Sequence, residues 1–154
     1  MTKDELFHDF NLVKEMIVPI ERKVRILTEL MAEYEYSWRV VGITREALIR
    51  FSENKFRKVT GMGINRAHLI NRKDFYPEML GKEFKNCDDW WDYYLDKDRT
   101  ILATSTENSA HSFSDVFYFD KPELFKIKSY SWRHTKKDEG RFLENLFREK
   151  CNPL

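Results

Sequence analysis

His68 is the residue of this sequence best suited to acid-base chemistry, because imidazole side chains titrate near neutral pH. It lies in a short apolar frame, RAHLI over residues 66–70, within a segment rich in lysine and arginine. A histidine in basic surroundings suits proton transfer at a phosphate. Residues 66–70 therefore indicate phosphate chemistry or phosphate binding.

The histidine belongs to a segregated block of positive charge, residues 39–73. This block holds nine lysines and arginines against Glu46 and Glu53, a local charge of +7, although the whole chain has a formal net charge of only +1. Residues 74–98 reverse the sign, with eight acids against three lysines, a local charge of −5. Such a local field predicts an anionic partner. Pairing of the basic block with the acidic segment inside the fold is the alternative.

Two fragments of the chain resemble HNH (ββα-metal) endonucleases. Residues 66–72, RAHLINR, are similar to the first element of that family, in which a histidine ends a short apolar strand. Residues 100–111 are similar to its last element, in which a strand or turn leads into a helix that carries a metal ligand. The resemblance implies that His68 is the general base, that Asn108 or His111 binds the metal, and that the cofactor is a divalent cation, Mg²⁺ or Mn²⁺.

Residues 59–69 also resemble the turn and recognition helix of a helix-turn-helix protein, provided that Ile64 begins a helix. The residues that would face the major groove are Asn65, Arg66, His68 and Arg72. Cations on the preceding helix would hold phosphates. The candidate nucleic-acid-binding residues from these interpretations are Arg45, Arg50, Lys58, Arg66, Arg72 and Lys73.

A third interpretation concerns residues 88–94, in which acids alternate with aromatic side chains. Trp and Tyr are favoured anchors of protein interfaces, and the acids would suit a basic partner. This pattern predicts a protein partner bound through Trp90 and Tyr93. The chain would then be a small inhibitor of a nucleic-acid enzyme.

Hydrophobic periodicity predicts helices in the first half of the chain. An amphipathic arm or hairpin covers about residues 3–40, with a break at Pro19, and its apolar series are Leu6, Phe10, Val13, Ile17 and Ile20, Val24, Leu27, Met31. Thr44 is expected to cap a helix to about Asn54, with Ala47, Leu48 and Phe51 inward. Residues 64–70 are compatible with a strand or a helix. Residues 77–80 predict one helical turn, and Asp88 is expected to cap the aromatic helix that follows.

Three segments of the second half predict strands, namely residues 100–104, 113–119 and 126–132, because they are rich in β-branched and aromatic residues. A helix is expected after Thr135, with Phe142, Leu143, Leu146 and Phe147 as its buried stripe. The sequence as a whole predicts an α+β fold, a mostly helical single domain over residues 1–154 with a small antiparallel sheet.

Composition narrows the functional class. With 154 residues and 42% hydrophobic residues the chain has material for one core. Its two cysteines lie in no zinc-binding pattern, and no signal-peptide pattern or run of eighteen apolar residues is present. We therefore expect a cytoplasmic protein without a membrane partner that acts on nucleic acid, DNA or RNA. A metal-dependent nuclease of HNH type comes first, a helix-turn-helix binding protein second and an interaction protein third.

Overall fold

The computed structural model describes residues 1–127 and 137–152 of the chain, and within them it contains seven helices and four strands. Helices dominate and the sheet is small, which confirms the expected α+β class. The elements are α1 (Lys3–Glu15), α2 (Ile20–Ala32), β1 (Arg39–Thr44), α3 (Arg45–Glu53), β2 (Ile64–His68), α4 (Arg72–Leu80), α5 (Cys87–Lys97), β3 (Arg99–Thr104), α6 (Ser105–Ala110), β4 (Val116–Tyr118) and α7 (Lys137–Lys150).

The four strands form one sheet in the order β2-β3-β1-β4. β4 runs antiparallel to β1. The amide of Leu69 donates to the carbonyl of Arg99 over 2.9 Å, and the amide of Ser105 donates to the carbonyl of Gly63 over 2.8 Å, so β2 and β3 also run antiparallel. The sheet is mixed, which makes the central pair of β1 and β3 parallel. It therefore differs from the wholly antiparallel sheet that we expected.

The described residues form two compact units. Unit 1 comprises Met1–Arg39, His68–Arg99 and Ile127, and unit 2 comprises Val40–Ala67, Thr100–Lys126 and residues 137–152. The basic block of residues 39–73 is divided by this arrangement, because six of its nine cations belong to Val40–Ala67 and three belong to unit 1. The expectation of a single domain over residues 1–154 stays a prediction.

Unit 1 is built around the helices α1, α2, α4 and α5. Periodicity predicted its inner face correctly, since the buried residues include Leu6, Phe10, Val13, Leu27 and Met31.

The apolar series of α1 and α2 was wrong at the break between these helices. Ile17 is fully exposed at 102%, and Ile20 is 42% exposed. The physical reason is that α1 ends at Glu15 and Pro19 is the residue that precedes α2, so Ile17 lies in a connection rather than on a helical face.

Two helix starts in unit 1 differ from expectation. The cap of α5 is Asn86 rather than Asp88, because the side-chain oxygen of Asn86 accepts from the amide of Asp89 over 2.9 Å. Asp88 instead lies in the first turn, where a carboxylate favours the helix dipole. α4 begins at Arg72, five residues before the predicted start, and contains Pro77 within its length.

In unit 2 the predicted cap of α3 is confirmed, since the hydroxyl oxygen of Thr44 accepts from the amide of Ala47 over 3.1 Å. Thr104 caps α6 in the same way. The carboxylate of Glu107 joins the two caps, because one of its oxygens accepts from the hydroxyl of Thr44 at 2.8 Å and from the amide of Thr104 at 2.9 Å. The ends of the two central strands are thus held together.

Residues 64–68 form the strand β2, which decides between the two structures that the sequence allowed. The recognition helix that a helix-turn-helix motif requires over residues 64–70 is therefore absent, and that interpretation was wrong. Local strand propensity does not explain the outcome, since Ile64 is the one β-branched residue of β2. Main-chain hydrogen bonds to β3, which the local sequence does not reveal, fix the extended conformation. Of the predicted strand at 126–132, residues 128–132 lie outside the described part of the chain.

The carboxyl end of α3 has a hydrogen-bonding pattern that usually includes glycine. The amide of Lys55 donates to the carbonyl of Ser52 over 3.3 Å, and the amide of Phe56 donates to the carbonyl of Phe51 over 2.8 Å, after the capping residue Asn54. This is a Schellman motif, in which the residue after the cap takes the left-handed conformation. Lys55 occupies that place with φ of 54°, and Phe56 follows with φ of 57°.

We expect Lys55→Gly to raise the free energy of unfolding by roughly 0.5–1 kcal/mol, because glycine removes the left-handed strain of about 1–2 kcal/mol while adding unfolded-state entropy. Lys55→Ala is the matched control, since it removes the same charge and keeps the Cβ. Urea unfolding of the three proteins measures the difference. A glycine variant no more stable than the alanine variant would contradict the strain.

Candidate functional site

His68 ends β2 and belongs to unit 1. Its side chain is 12% exposed, and its Nε2 lies 3.4 Å from the Oδ1 of Asp98. The indole of Trp38 stands nearly perpendicular to the imidazole, with ring centres 6.0 Å apart. The histidine is therefore mostly enclosed, between a carboxylate and an aromatic ring.

Asp98 is fully buried and is the capping residue at the carboxyl end of α5. Its Oδ2 accepts a hydrogen bond from the main-chain amide of Trp38. A buried carboxylate is costly unless it is paired or hydrogen-bonded. The amide of Trp38 bonds to Oδ2, whereas the imidazole of His68 approaches Oδ1 without forming a hydrogen bond. The pair His68 and Asp98 is thus a structural anchor as well as a candidate for proton transfer.

Two buried tyrosines approach the same carboxylate. Burial, followed by the negative charge of Asp98, raises the pKa of Tyr76 and of Tyr94 well above the ordinary phenol value. Both hydroxyls consequently stay neutral and do not add a second buried charge beside Asp98.

Arg72, a predicted nucleic-acid contact, lies at the start of α4. Its guanidinium carbon is 4.8 Å from the ring centre of Trp38, a cation–π distance. Its neighbour Lys73 is exposed. The two predicted contacts therefore differ, because Arg72 already packs on an indole within unit 1.

The other predicted contacts lie in unit 2, where several hold the fold together. A guanidinium nitrogen of Arg50 donates to the carbonyl of Met62 over 3.1 Å, and Arg66 donates to the carbonyl of Phe125. Partial burial lowers the pKa of Lys58.

Arg45 is the most open of these predicted contacts in unit 2. Its side chain is 44% exposed and lies 3.8 Å from a carboxylate oxygen of Asp115. Its guanidinium also lies 5.4 Å from the ring centre of Phe117. A phosphate could therefore reach Arg45, in competition with Asp115.

The predicted metal ligands Asn108 and His111 also lie in unit 2. Asn108 belongs to the short helix α6, and His111 follows that helix in the left-handed conformation, with φ of 46°. The imidazole of His111 packs edge-on against Phe113 at 5.2 Å. In residues 1–127 and 137–152, no three side chains of His, Cys, Asp or Glu are grouped so that they could hold a metal ion. The donor set around these residues therefore does not fit a metal site, and their role stays a prediction.

A cleft of about 670 Å³ in unit 2 brings together cations that the sequence separates. The turn after α3 contributes Lys55 and Arg57, and α7 contributes Lys137 and Arg141, all four of them exposed. The acid of the lining is Glu144, which pairs with Arg148 on the same helix over 2.6 Å. The cleft is a place where an anion can be bound.

These cations were missed as site residues. Lys55 and Arg57 were counted in the basic block, but neither was predicted to be a nucleic-acid-binding residue. On α7 the sequence did contain a signal for the cleft, since Lys137, Arg141 and Glu144 recur at spacings of four and three and therefore share one helical face. Gly140 lies beside them and has no side chain. Sequence alone did not indicate that this face meets the end of α3.

The two predicted protein-binding anchors, Trp90 and Tyr93, differ in their exposure to solvent. Trp90 is fully buried in the core of unit 1, against Phe7 and Phe10 at 5.4 Å each. The prediction of an exposed anchor was therefore wrong for Trp90, because α1 packs against the face of α5 that carries it. Tyr93 is partly exposed, and burial together with Glu78 raises its pKa to about 12.

Comparison of the chain with protein-family models, with curated proteins and with solved structures found no match. Of the helices in the described part of the chain, none has the length and apolar character that crossing a membrane requires.

We expect Asp98→Ala to lower the free energy of unfolding by about 2–4 kcal/mol, because it leaves the buried amide of Trp38 without its acceptor. Asp96→Ala is the matched control, since Asp96 is exposed on the same helix, and its effect should stay within about 0.5 kcal/mol. Urea unfolding followed by tryptophan fluorescence measures both. Equal losses in the two variants would contradict the anchoring role.

Proposed function

We propose that the chain is a nucleic-acid-binding protein that holds phosphates in the cationic cleft of unit 2. The observation that carries the proposal is the convergence of Lys55, Arg57, Lys137 and Arg141 on one cleft. Phosphates bound by lysine and arginine release condensed counterions, which is the main source of affinity for nucleic acid. Four such cations are enough for a measurable, salt-dependent affinity.

Two features support a polyanion over a single small anion. The surrounding segment Val40–Ala67 carries six cations against two acids, which extends the positive field beyond the cleft. Arg45 offers a further exposed cation in the same unit. By contrast, Arg50 and Arg66 donate to main-chain carbonyls, so in this proposal they shape the surface instead of binding phosphate.

A metal-dependent nuclease of HNH type is the second candidate, and the contact between His68 and Asp98 is the observation that favours it. A carboxylate beside an imidazole orients the ring, as a general base requires. Because the described residues do not offer a fitting metal donor set, the proposal is confined to proton transfer at His68.

For the binding proposal, we expect labelled oligonucleotides to bind with an affinity that falls as salt rises. Arg141→Ala should weaken binding roughly 3- to 10-fold and reduce the slope of log affinity against log salt by about 1, because one phosphate contact is lost. Fluorescence anisotropy at several salt concentrations measures both quantities.

The matched control is Lys150→Ala, which removes one charge from the same helix at an exposed position that does not line the cleft. Lys55→Gly adds a second control, since it should weaken binding although it stabilises the fold. Equal effects of Arg141→Ala and Lys150→Ala would reject the cleft as the binding site.

For the nuclease proposal, we expect cleavage of labelled DNA or RNA that is lost in His68→Ala, and parallel reactions with Mg²⁺, Mn²⁺ or EDTA measure whether a cation from solution is needed. Asp98→Asn should lower the activity, because its single oxygen cannot both accept from the amide of Trp38 and face the imidazole of His68. Gel analysis of the products, beside circular dichroism of each variant, makes the measurement. Undiminished cleavage by a folded His68→Ala protein would show that His68 takes no part in the reaction.

A further inference from the structure

We infer that the cleft of unit 2 takes single-stranded nucleic acid, with Phe56 as the surface on which a base stacks. The inference rests on the proposed function and adds the form of the nucleic acid to it.

The shape of the cleft favours a single strand. A volume of about 670 Å³ lies within the range of about 300–1,000 Å³ that encloses one small organic ligand, so the cleft suits one or two nucleotides. A duplex presents its base edges at the floor of a groove, where a protruding helix or ribbon reads them. A concave cleft can receive a base only when that base is unpaired.

The lining of the cleft combines cations with an aromatic ring. Phe56 lines it between Lys55 and Arg57, while Lys137 and Arg141 come from α7. Cations that follow the backbone, together with an aromatic ring that meets a base, are the combination by which proteins bind single strands. Cations without an aromatic ring would suit phosphate alone.

The ring of Phe56 is held in place. Its amide donates to the carbonyl of Phe51 over 2.8 Å, and its ring packs against Phe147 with centres 5.8 Å apart. A side chain that is already ordered loses little conformational entropy when a ligand stacks on it.

The turn that carries Phe56 has an unusual backbone conformation. Lys55 and Phe56 both have positive φ, in a motif whose first position favours glycine. Left-handed non-glycine residues concentrate at ligand sites, where side chains are needed in spite of the strain. Here the strained pair supplies one cation and the aromatic ring of the cleft.

The test is fluorescence anisotropy with three labelled probes of equal length: a single-stranded oligonucleotide, its duplex, and an abasic strand that keeps the phosphates. We expect the single strand to bind at least about tenfold tighter than the duplex. Phe56→Leu should weaken single-strand binding by about 5- to 140-fold and leave the abasic strand unaffected, because only the stacked base is lost. Phe56→Tyr should retain single-strand affinity, and urea unfolding checks that each variant is folded.

Equal or tighter binding of the duplex would overturn the inference. So would a Phe56→Leu protein that loses affinity for the single and abasic strands alike, since that loss would reflect the shape of the turn. If Arg141→Ala weakens binding while Phe56→Leu does not, the stacking inference fails and the proposed function stands. If no probe binds, both fail.

Discussion

The carboxylate of Glu107 is the interaction on which unit 2 depends most. It accepts from the hydroxyl of Thr44 and from the amide of Thr104, so one acid ties together the ends of two parallel strands and the starts of two helices. Because α3 is a rigid rod of about 14 Å, its anchored start also determines where its far end lies. That far end is the turn of Lys55 and Phe56, where the cleft begins. Hydrogen bonds at the ends of the two central strands thus help to position cations that Glu107 does not contact.

Charge along the sequence and charge available to a partner are different quantities in this protein. Arg50 and Arg66 donate to main-chain carbonyls, and Arg72 lies on an indole. Their positive charge still contributes to the field, but their hydrogen-bonding capacity is partly used. The exposed cations of the cleft come from two segments more than seventy residues apart, so the block of residues 39–73 contains only Lys55 and Arg57 of this group.

Local physics made much of the fold predictable from the sequence. Periodicity identified the buried faces of α1 and α2, and Thr44 was recognised as a cap because its hydroxyl needs only an amide three residues later. The failures arose where distant contacts decide, as in the strand at residues 64–68 and the inward turn of Trp90. The candidate site was predicted in part: His68 was chosen, but its partner Asp98 is thirty residues away and no local pattern connects them.

The interleaving of the two units along the chain has a consequence for how they form during synthesis. A chain made from its amino terminus holds every helix of the unit 1 core once α5 is complete, whereas unit 2 still lacks α7, whose Leu143 lies in its core. Domains tend to fold as their segments emerge from the ribosome. More than eighty residues are therefore synthesised between the end of α3 and the helix α7 that completes its core. Until α7 emerges, apolar side chains such as Phe51 and Leu48 are incompletely buried.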